Sequence, residues 1–360
     1  MTVLADVHAE HGATIEARGG RDAVVHYGKP ERVHRAVRHG VGLIEHVPGV
    51  LVVTGEDRVE FVDNAVSNRI PTTDGRGVYA LLLDPQGRIE TDMYVYNAGE
   101  RLLVFTPPGK AEPLAGEWRG KTFIQDVDIT VATDDFGVFG VHGPQATEKV
   151  ASVFAEQTPE EPLAFVRGPM GDSGVTAVRS DAPTGEEGYT VVCAADEARD
   201  VFDSLENRGL NAAPFGYHTW ELLTLEAGTP LFTTELAGEI PNVLGLRNAV
   251  DFEKGCFVGQ EVVSRVENRG RPSRRLVGLT LESVPDPGAA VFAGDEAVGE
   301  IARAGASPTR GGPVALALVE FGTDGELSVR LDGEEVDAGR AELPFVEGSE
   351  RSARLPVYPS

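Results

Sequence analysis

The sequence predicts an α+β protein that ends in a small β-barrel. Three observations carry that expectation. Through roughly the first three quarters of the chain, short period-2 apolar runs such as 50–53 alternate with stretches of helical period such as 57–66. After Arg275 the helical period stops. Segments 276–281, 290–292, 297–303, 314–319, 326–331 and 340–345 then read as short strands, punctuated by Gly, Pro and Asp at roughly 10-residue spacing. The chain also has 360 residues, enough for two or three domains with a sizeable core. The expected units are residues 1–270 and 275–355.

The elements follow in order. After a polar opening, 22–27 reads as a strand. Pro30 starts a helix with Val33, Ala36 and Val37 on one face, and Gly40 stops it. Strands are expected at 41–46 and 50–55, a helix at 57–66, and a hairpin from 78–83 and 89–96 turning at Asp84–Gly87. Residues 102–106, 127–132 and 138–142 read as strands, with helices at 111–118 and 198–208. His26 and His46 read as structural polar groups. Cys193 lies in the β-branched run 189–193, so it reads as a buried strand residue.

Composition narrows the function. There are 57 acidic against 32 basic residues, a net charge of −25, and lysine is reduced to Lys29, Lys110, Lys121, Lys149 and Lys254. Such a surface suits concentrated salt, where self-repulsion is screened, so a halophilic source is expected. The same charge argues against non-specific nucleic-acid binding, which needs bases to neutralise phosphate. Two cysteines make neither a disulfide framework nor the roughly four ligands of a permanent iron–sulfur site, and no metal site is expected. No signal pattern and no apolar run of ~20 residues is evident, so a cytoplasmic protein without a membrane span is expected.

One stretch concentrates chemistry: Lys254-Gly255-Cys256-Phe257-Val258-Gly259-Gln260-Glu261. A thiol between two glycines can approach a ligand, and Lys254 with Arg265, Arg269, Arg271, Arg274 and Arg275 could supply activating positive charge. Gln260 and Glu261 open a helix, where an acid suits the macrodipole.

This K-G-C-F-V-G-Q-E run, with the arginines after it, resembles the signature of the YgfZ family, folate-binding paralogues of the glycine-cleavage T-protein that support iron–sulfur proteins. The resemblance implies two interleaved α+β subdomains around a central folate cleft, capped by the barrel. It implies tetrahydrofolate, or a one-carbon derivative, as cofactor, and iron–sulfur enzymes or their assembly proteins as partners. Other segments are similar to the family as well. These are the opening that runs from Arg38 into 41–46, the strand-to-helix turn at 140–146, and Gly185-Glu186-Glu187-Gly188-Tyr189.

The resemblance also nominates residues: Cys256, Lys254 and Asp92 for chemistry, and Glu226, Asp92, Tyr94 and Asn242 for folate. T-proteins read G-G-x-x-D-D on the second hairpin strand, with an acid facing the reacting folate nitrogen. Here the sequence is Gly87-Arg88-Ile89-Glu90-Thr91-Asp92, so the acid pair is incomplete. Simple alternation puts Glu90 and Asp92 on one face and Thr91 on the other. Glu226-Ala227-Gly228 matches the family's R-[IL]-E-A-G, with Thr224 at the arginine position. The glutamate is expected on the amino-pyrimidine edge of the pterin, a charge-assisted bidentate arrangement. The leading expectation is therefore a folate-binding accessory of iron–sulfur enzymes. The alternatives are a tetrahydrofolate-dependent aminomethyltransferase, using Asp92 or Glu90, and a salvage enzyme for a methylated amine.

Overall fold

A computed structural model describes residues 2–269, 271–331 and 333–358. Gly270 of the motif region lies outside the described residues, as does the side chain of Arg269. The chain opens with a short helix, Ala5–Glu10, and a hairpin, Thr14–Arg18 with Arg21–His26. Helix Pro30–His39 leads into strand Gly42–His46, the first strand of a six-stranded sheet. The chain then crosses to a five-stranded sheet, built from Gly49–Thr54, Arg76–Leu83, Ile89–Asn97, Leu102–Thr106 and Asp128–Val131. It returns through Phe136–His142 to complete the first sheet with Phe165–Met170, Ser173–Arg179, Gly188–Ala194 and Ala213–Pro214. This crossing and return is the interleaving that the resemblance implied.

Each sheet buries its outer face under helices. Helices Ala146–Val153 and Ala198–Asn207 cover the six-stranded sheet, with Phe139, Val191 and Phe202 in the core between. Helices Arg58–Ala65 and Ala111–Arg119 cover the five-stranded sheet around Trp118 and Met93. The inner faces meet through Val50, Phe105, Val138 and Val178. Burial on both faces explains why strands such as Leu102–Thr106 are apolar throughout rather than alternating.

The barrel is closed by six strands: Arg274–Thr280, Gly312–Glu320, Glu296–Ser307, Ala290–Ala293, Leu327–Leu331 and Glu334–Ala341. The expected strand at 340–345 is displaced. The closing strand is Glu334–Ala341, in which only Ala338 is buried, so it carries almost no apolar pattern. Leu343 and Phe345, which suggested a strand, instead pack on the core shared by the barrel and the five-stranded sheet. Beyond the barrel the chain laces back over the first unit: Arg351 N–H bonds Gly185 O, Ala353 N–H bonds Asp181 O, and Val357 N–H bonds Gly245 O, each at 3.0 Å. No helix among the described residues is long and apolar enough to cross a membrane.

Candidate functional site

The inner faces of the two sheets do not close on each other everywhere. Between them lies a cavity of about 200 Å³. The five-stranded sheet contributes Asp92, Tyr94 and Tyr96 from strand Ile89–Asn97, and the six-stranded sheet contributes His46, His142 and Thr190. Tyr217 and Trp220 on helix Tyr217–Glu226 form another wall, and Arg18 of the N-terminal hairpin stands at the rim over the Tyr217 ring, 4.3 Å from its centroid.

The strand carrying Asp92 is not regular. Leu82 pairs with Thr91 but Leu83 pairs with Ile89, so Glu90 is the extra residue of a β-bulge. The bulge overturns the expectation that Glu90 and Asp92 share a face. Glu90 is exposed and lines a separate groove with Asp84 and Val258, while Asp92 is buried in the cavity wall. Glu90 is thereby removed as an acid for this site.

Asp92 has few partners. The Tyr79 hydroxyl donates to its Oδ2 at 2.8 Å, and Arg354 Nη1 stands 4.0 Å from the same oxygen. Burial raises its carboxyl above the usual range, against the opposing pull of Arg354 and the Tyr79 hydrogen bond. Tyr94 donates to Asp181 Oδ1 at 2.8 Å and accepts from Arg354 Nη2 at 2.7 Å. Arg354 Nε lies 3.2 Å from Asp181 Oδ2, and its guanidinium lies over the Tyr79 ring, 4.7 Å from the centroid. Burial pushes both phenols far above their ordinary range, so Tyr79 and Tyr94 remain protonated donors.

Asp92 and Tyr94 are thus the nominated residues that the fold brings together. Glu226 is not with them. It is buried and saturated, accepting from His34 Nε2 at 3.0 Å, Arg38 Nε at 2.9 Å and Ser307 Oγ at 2.5 Å, with Thr309 alongside. Burial alone would raise its pKa. The His34 hydrogen bond, the charges of Arg38 and His34 and the Ser307 hydroxyl override that and bring it down to about 2. Its carboxylate therefore fastens the barrel to helix Pro30–His39 and stands outside the cavity lining. Thr224, at the expected arginine position, accepts from Arg303 Nη1 at 3.0 Å, so a barrel arginine fills that place. Asn242 also lies away from the cavity, its Nδ2 donating to Glu267 at 3.3 Å.

Most residues of the cysteine motif make packing contacts with the rest of the fold. Lys254 is buried, and its ammonium donates to the carbonyls of Asp63 and Asn68 and pairs with Asp63 Oδ2 at 3.2 Å. Burial lowers its pKa, and the contacts described for it run to helix Arg58–Ala65 and the turn after it. Phe257 enters the core beside Val263. Gly259 has φ +81°, and a Cβ there would meet Asp84 O at 2.7 Å and Gly87 Cα at 2.9 Å. That glycine lets the motif seat on the hairpin turn. Gly255 has no such requirement. Cys256 is exposed and is not among the cavity residues, while Cys193 is buried and its thiol is pushed up to about 12 by burial. Of the nearby arginines, Arg274 pairs with Glu239 and Glu300.

Sequence reasoning missed Asp181, His142, Trp220 and Arg354 as cavity residues, and Tyr79 as the donor behind Asp92. Tyr79 sat unmarked in an expected strand. Asp181 lies just before the recognised Gly185–Tyr189 turn, which was a usable signal. Arg354 lies in a Ser- and Pro-containing tail that offered none.

Comparison with known proteins gives consistent matches along the chain. Residues 4–254 match the GCVT N-terminal domain, and residues 274–347 match the glycine cleavage T-protein C-terminal barrel domain. The chain is 31% identical to an aminomethyltransferase of Streptomyces coelicolor, over 96% of each chain. It is 29% identical to one of Bacillus subtilis, over 92% of this chain and 94% of the other. The crystal structure of the glycine cleavage system aminomethyltransferase T from Bartonella henselae superposes with a TM-score of 0.85 over 99% of both chains, at 22% identity, so it shares this fold.

Proposed function

From the membership of this chain in the glycine-cleavage T-protein family, we propose that it binds tetrahydrofolate between its two sheets and acts as an aminomethyltransferase with Asp92 as the acid–base group. The observation that carries this reading is Asp92 itself: a buried carboxyl in the cavity wall, raised by burial and hydrogen-bonded at one oxygen by Tyr79. A carboxyl whose pKa is raised toward the working pH can both give and take a proton. The cavity suits a pterin-bearing molecule through aromatic walls at Tyr94, Tyr96 and Trp220 and through a buried histidine, His142, with no partner at either ring nitrogen among the described residues.

When bound, tetrahydrofolate supplies the nitrogen nucleophile that accepts the one-carbon unit. The chain supplies the rest. Asp92 holds or releases a proton at Oδ1, the oxygen that Tyr79 leaves free. Tyr79 and Arg354 fix the orientation of Oδ2. Tyr94, held by Asp181 and Arg354, keeps that wall rigid. Asp92→Asn is expected to lower aminomethyl transfer from an aminomethyl-lipoyl carrier by about 10²-fold or more. Tetrahydrofolate affinity, measured by calorimetry, should change by only a few fold. Wild-type turnover in the variant would remove Asp92 from the role.

A second reading is favoured by one observation. Cys256 is displayed on the surface by a motif otherwise committed to folding contacts. This fits an accessory role toward iron–sulfur enzymes, as the motif's resemblance implied. The two readings separate in a deletion strain. If the accessory role holds, Cys256→Ser fails to restore iron–sulfur enzyme activity whereas Asp92→Asn restores it. If transfer is the function, the deletion leaves iron–sulfur enzyme activity intact, and it is aminomethyl transfer that Asp92→Asn fails to restore and Cys256→Ser restores. The same proposal extends to habitat: with a net charge of −25, the unfolding temperature should rise from low to molar KCl. A flat profile would count against salt adaptation.

A further inference from the structure

His142 is 1% exposed, lines the cavity, and has no hydrogen-bond partner at Nδ1 or Nε2 among the described residues. A buried polar group left unpaired is costly, so an orphan of this kind asks what satisfies it. Its surroundings are shaped around it. A Cβ on Gly140 would come within 2.6 Å of His142 Nε2 and 2.6 Å of His46 Nε2, so the two nitrogens flank one point that only glycine leaves open. A Cβ on Gly188 would stand 2.7 Å from His142 Nδ1. The two imidazoles meet edge-on at 6.1 Å, and Trp220 packs against both, with centroids at 4.8 and 5.1 Å.

Burial holds both rings neutral. The pKa of His46 falls to about 4, and that of His142 lies well below its ordinary value. A neutral imidazole offers one donor and one acceptor. Two such rings beside an indole match a flat, uncharged partner with donor and acceptor side by side, and they offer no counter-charge to an ion. A bound metal fits less well. Structural and catalytic zinc sites take at least three protein ligands, and no group of three candidate ligands occurs among the described residues.

We propose that His46 and His142, backed by Trp220, form the subsite that reads the hydrogen-bonding edge of a neutral heteroaromatic ring. Under the tetrahydrofolate reading, on which this rests, that ring is the pterin. Its amino-pyrimidine edge then meets imidazoles in this chain rather than the carboxylate of Glu226, which is committed to the barrel seam.

The test separates ring from tail. Calorimetry with 6-methyltetrahydropterin probes the ring alone, p-aminobenzoylglutamate the tail alone, and tetrahydrofolate the whole. His142→Leu should weaken pterin binding by about tenfold or more while leaving the tail fragment unaffected. His142→Gln keeps a donor and an acceptor and should stay within a few fold of wild type. Gly140→Ala, on the neighbouring position of the same strand face, should displace both rings and mimic His142→Leu. This second variant keeps the test open should the leucine variant fail to fold. If wild type binds tetrahydrofolate but neither folded variant alters pterin affinity, the subsite is overturned and enclosed water satisfies His142 instead. If wild type binds neither tetrahydrofolate nor the pterin, the folate reading falls with it.

Discussion

Asp92 and Glu226 are both buried carboxylates, and they sit at opposite extremes of satisfaction. Among the described residues Asp92 receives one hydrogen bond from another side chain, that of Tyr79, and an arginine is held back at 4.0 Å. Glu226 is ringed by His34, Arg38, Ser307 and Thr309. Their proton affinities diverge accordingly, raised for Asp92 and brought down to about 2 for Glu226. A carboxylate that fastens two units uses every lone pair on the protein itself. A carboxylate that serves a ligand keeps lone pairs in reserve and bears the desolvation cost. Burial alone does not tell these roles apart; the partner count does.

The sharpest way to break this contrast is at the seam. Glu226→Ala leaves Arg38 and His34 buried without their shared acceptor, and should cost about 3–5 kcal/mol by denaturant unfolding. The pH dependence has a definite sign. The folded pKa of about 2 lies below the unfolded 4.5, so the stabilising contribution is present above pH 4.5 and is lost as pH falls toward 2. That shift corresponds to roughly 3 kcal/mol. A wild-type protein whose stability is flat across this window would show that Glu226 is not ionised against its partners.

Asp92→Asn should act in the opposite direction on stability. Because the folded pKa is raised above 3.8, the folded state binds the proton more tightly, and stability falls as pH rises through the folded value. An amide removes that penalty while still accepting from Tyr79. The variant should therefore equal or exceed wild type in unfolding temperature at neutral pH, and the gain should vanish near pH 3. A loss of several degrees at neutral pH would mean that the Arg354 contact outweighs burial.

The same contrast explains what the sequence could reveal. Many elements of the first unit were legible, because helix Pro30–His39 has its start and stop residues and the hairpin at Asp84–Gly87 its turn chemistry, but helix Ala5–Glu10 and strand Thr14–Arg18 were read only as a polar opening. The paired strands Phe165–Met170 and Ser173–Arg179 were passed over, since Gly168 and Pro169 break the strand pattern in the first. Asp92 and Tyr94 were nominated together because motif and strand position coincide, and both line the cavity. Glu226 was expected at the ligand but lies at the barrel seam, because its motif marks only a helix end and helix periodicity cannot say which unit covers that end. Glu90 was misplaced because a one-residue bulge has no marker in the side chains around it. Arg354 was invisible, since its role depends on a tail that returns across more than 250 residues to Tyr94.

Lys254 extends the comparison to a buried cation. Its ammonium is satisfied by two carbonyls and Asp63, as Glu226 is by its ring of donors. Lys254→Met should cost about 2–3 kcal/mol, since it strands two buried carbonyls, and should leave the alkylation rate of Cys256 in the folded protein unchanged. A slowed thiol at constant stability would restore the lysine to an activating role.

The smallest effect is expected at the thiol. Cys256 is exposed on a turn whose fixed points are its neighbours: Lys254 held by Asp63 and Asn68, Phe257 in the core, and Gly259 against the hairpin turn. Cys256→Ser removes none of these, so its unfolding free energy should stay within about 0.5 kcal/mol of wild type. The second thiol makes the measurement internally controlled. Cys193 is buried on strand Gly188–Ala194, its pKa pushed up to about 12, so it should alkylate only when the protein unfolds. Wild type should show one fast and one unfolding-limited modification, and Cys256→Ser only the slow one. A Cys256→Ser protein destabilised by 2 kcal/mol or more would make the thiol a packing residue of the motif. A stable variant leaves its display on the surface without a structural reason, which is the condition any functional role for Cys256 has to meet.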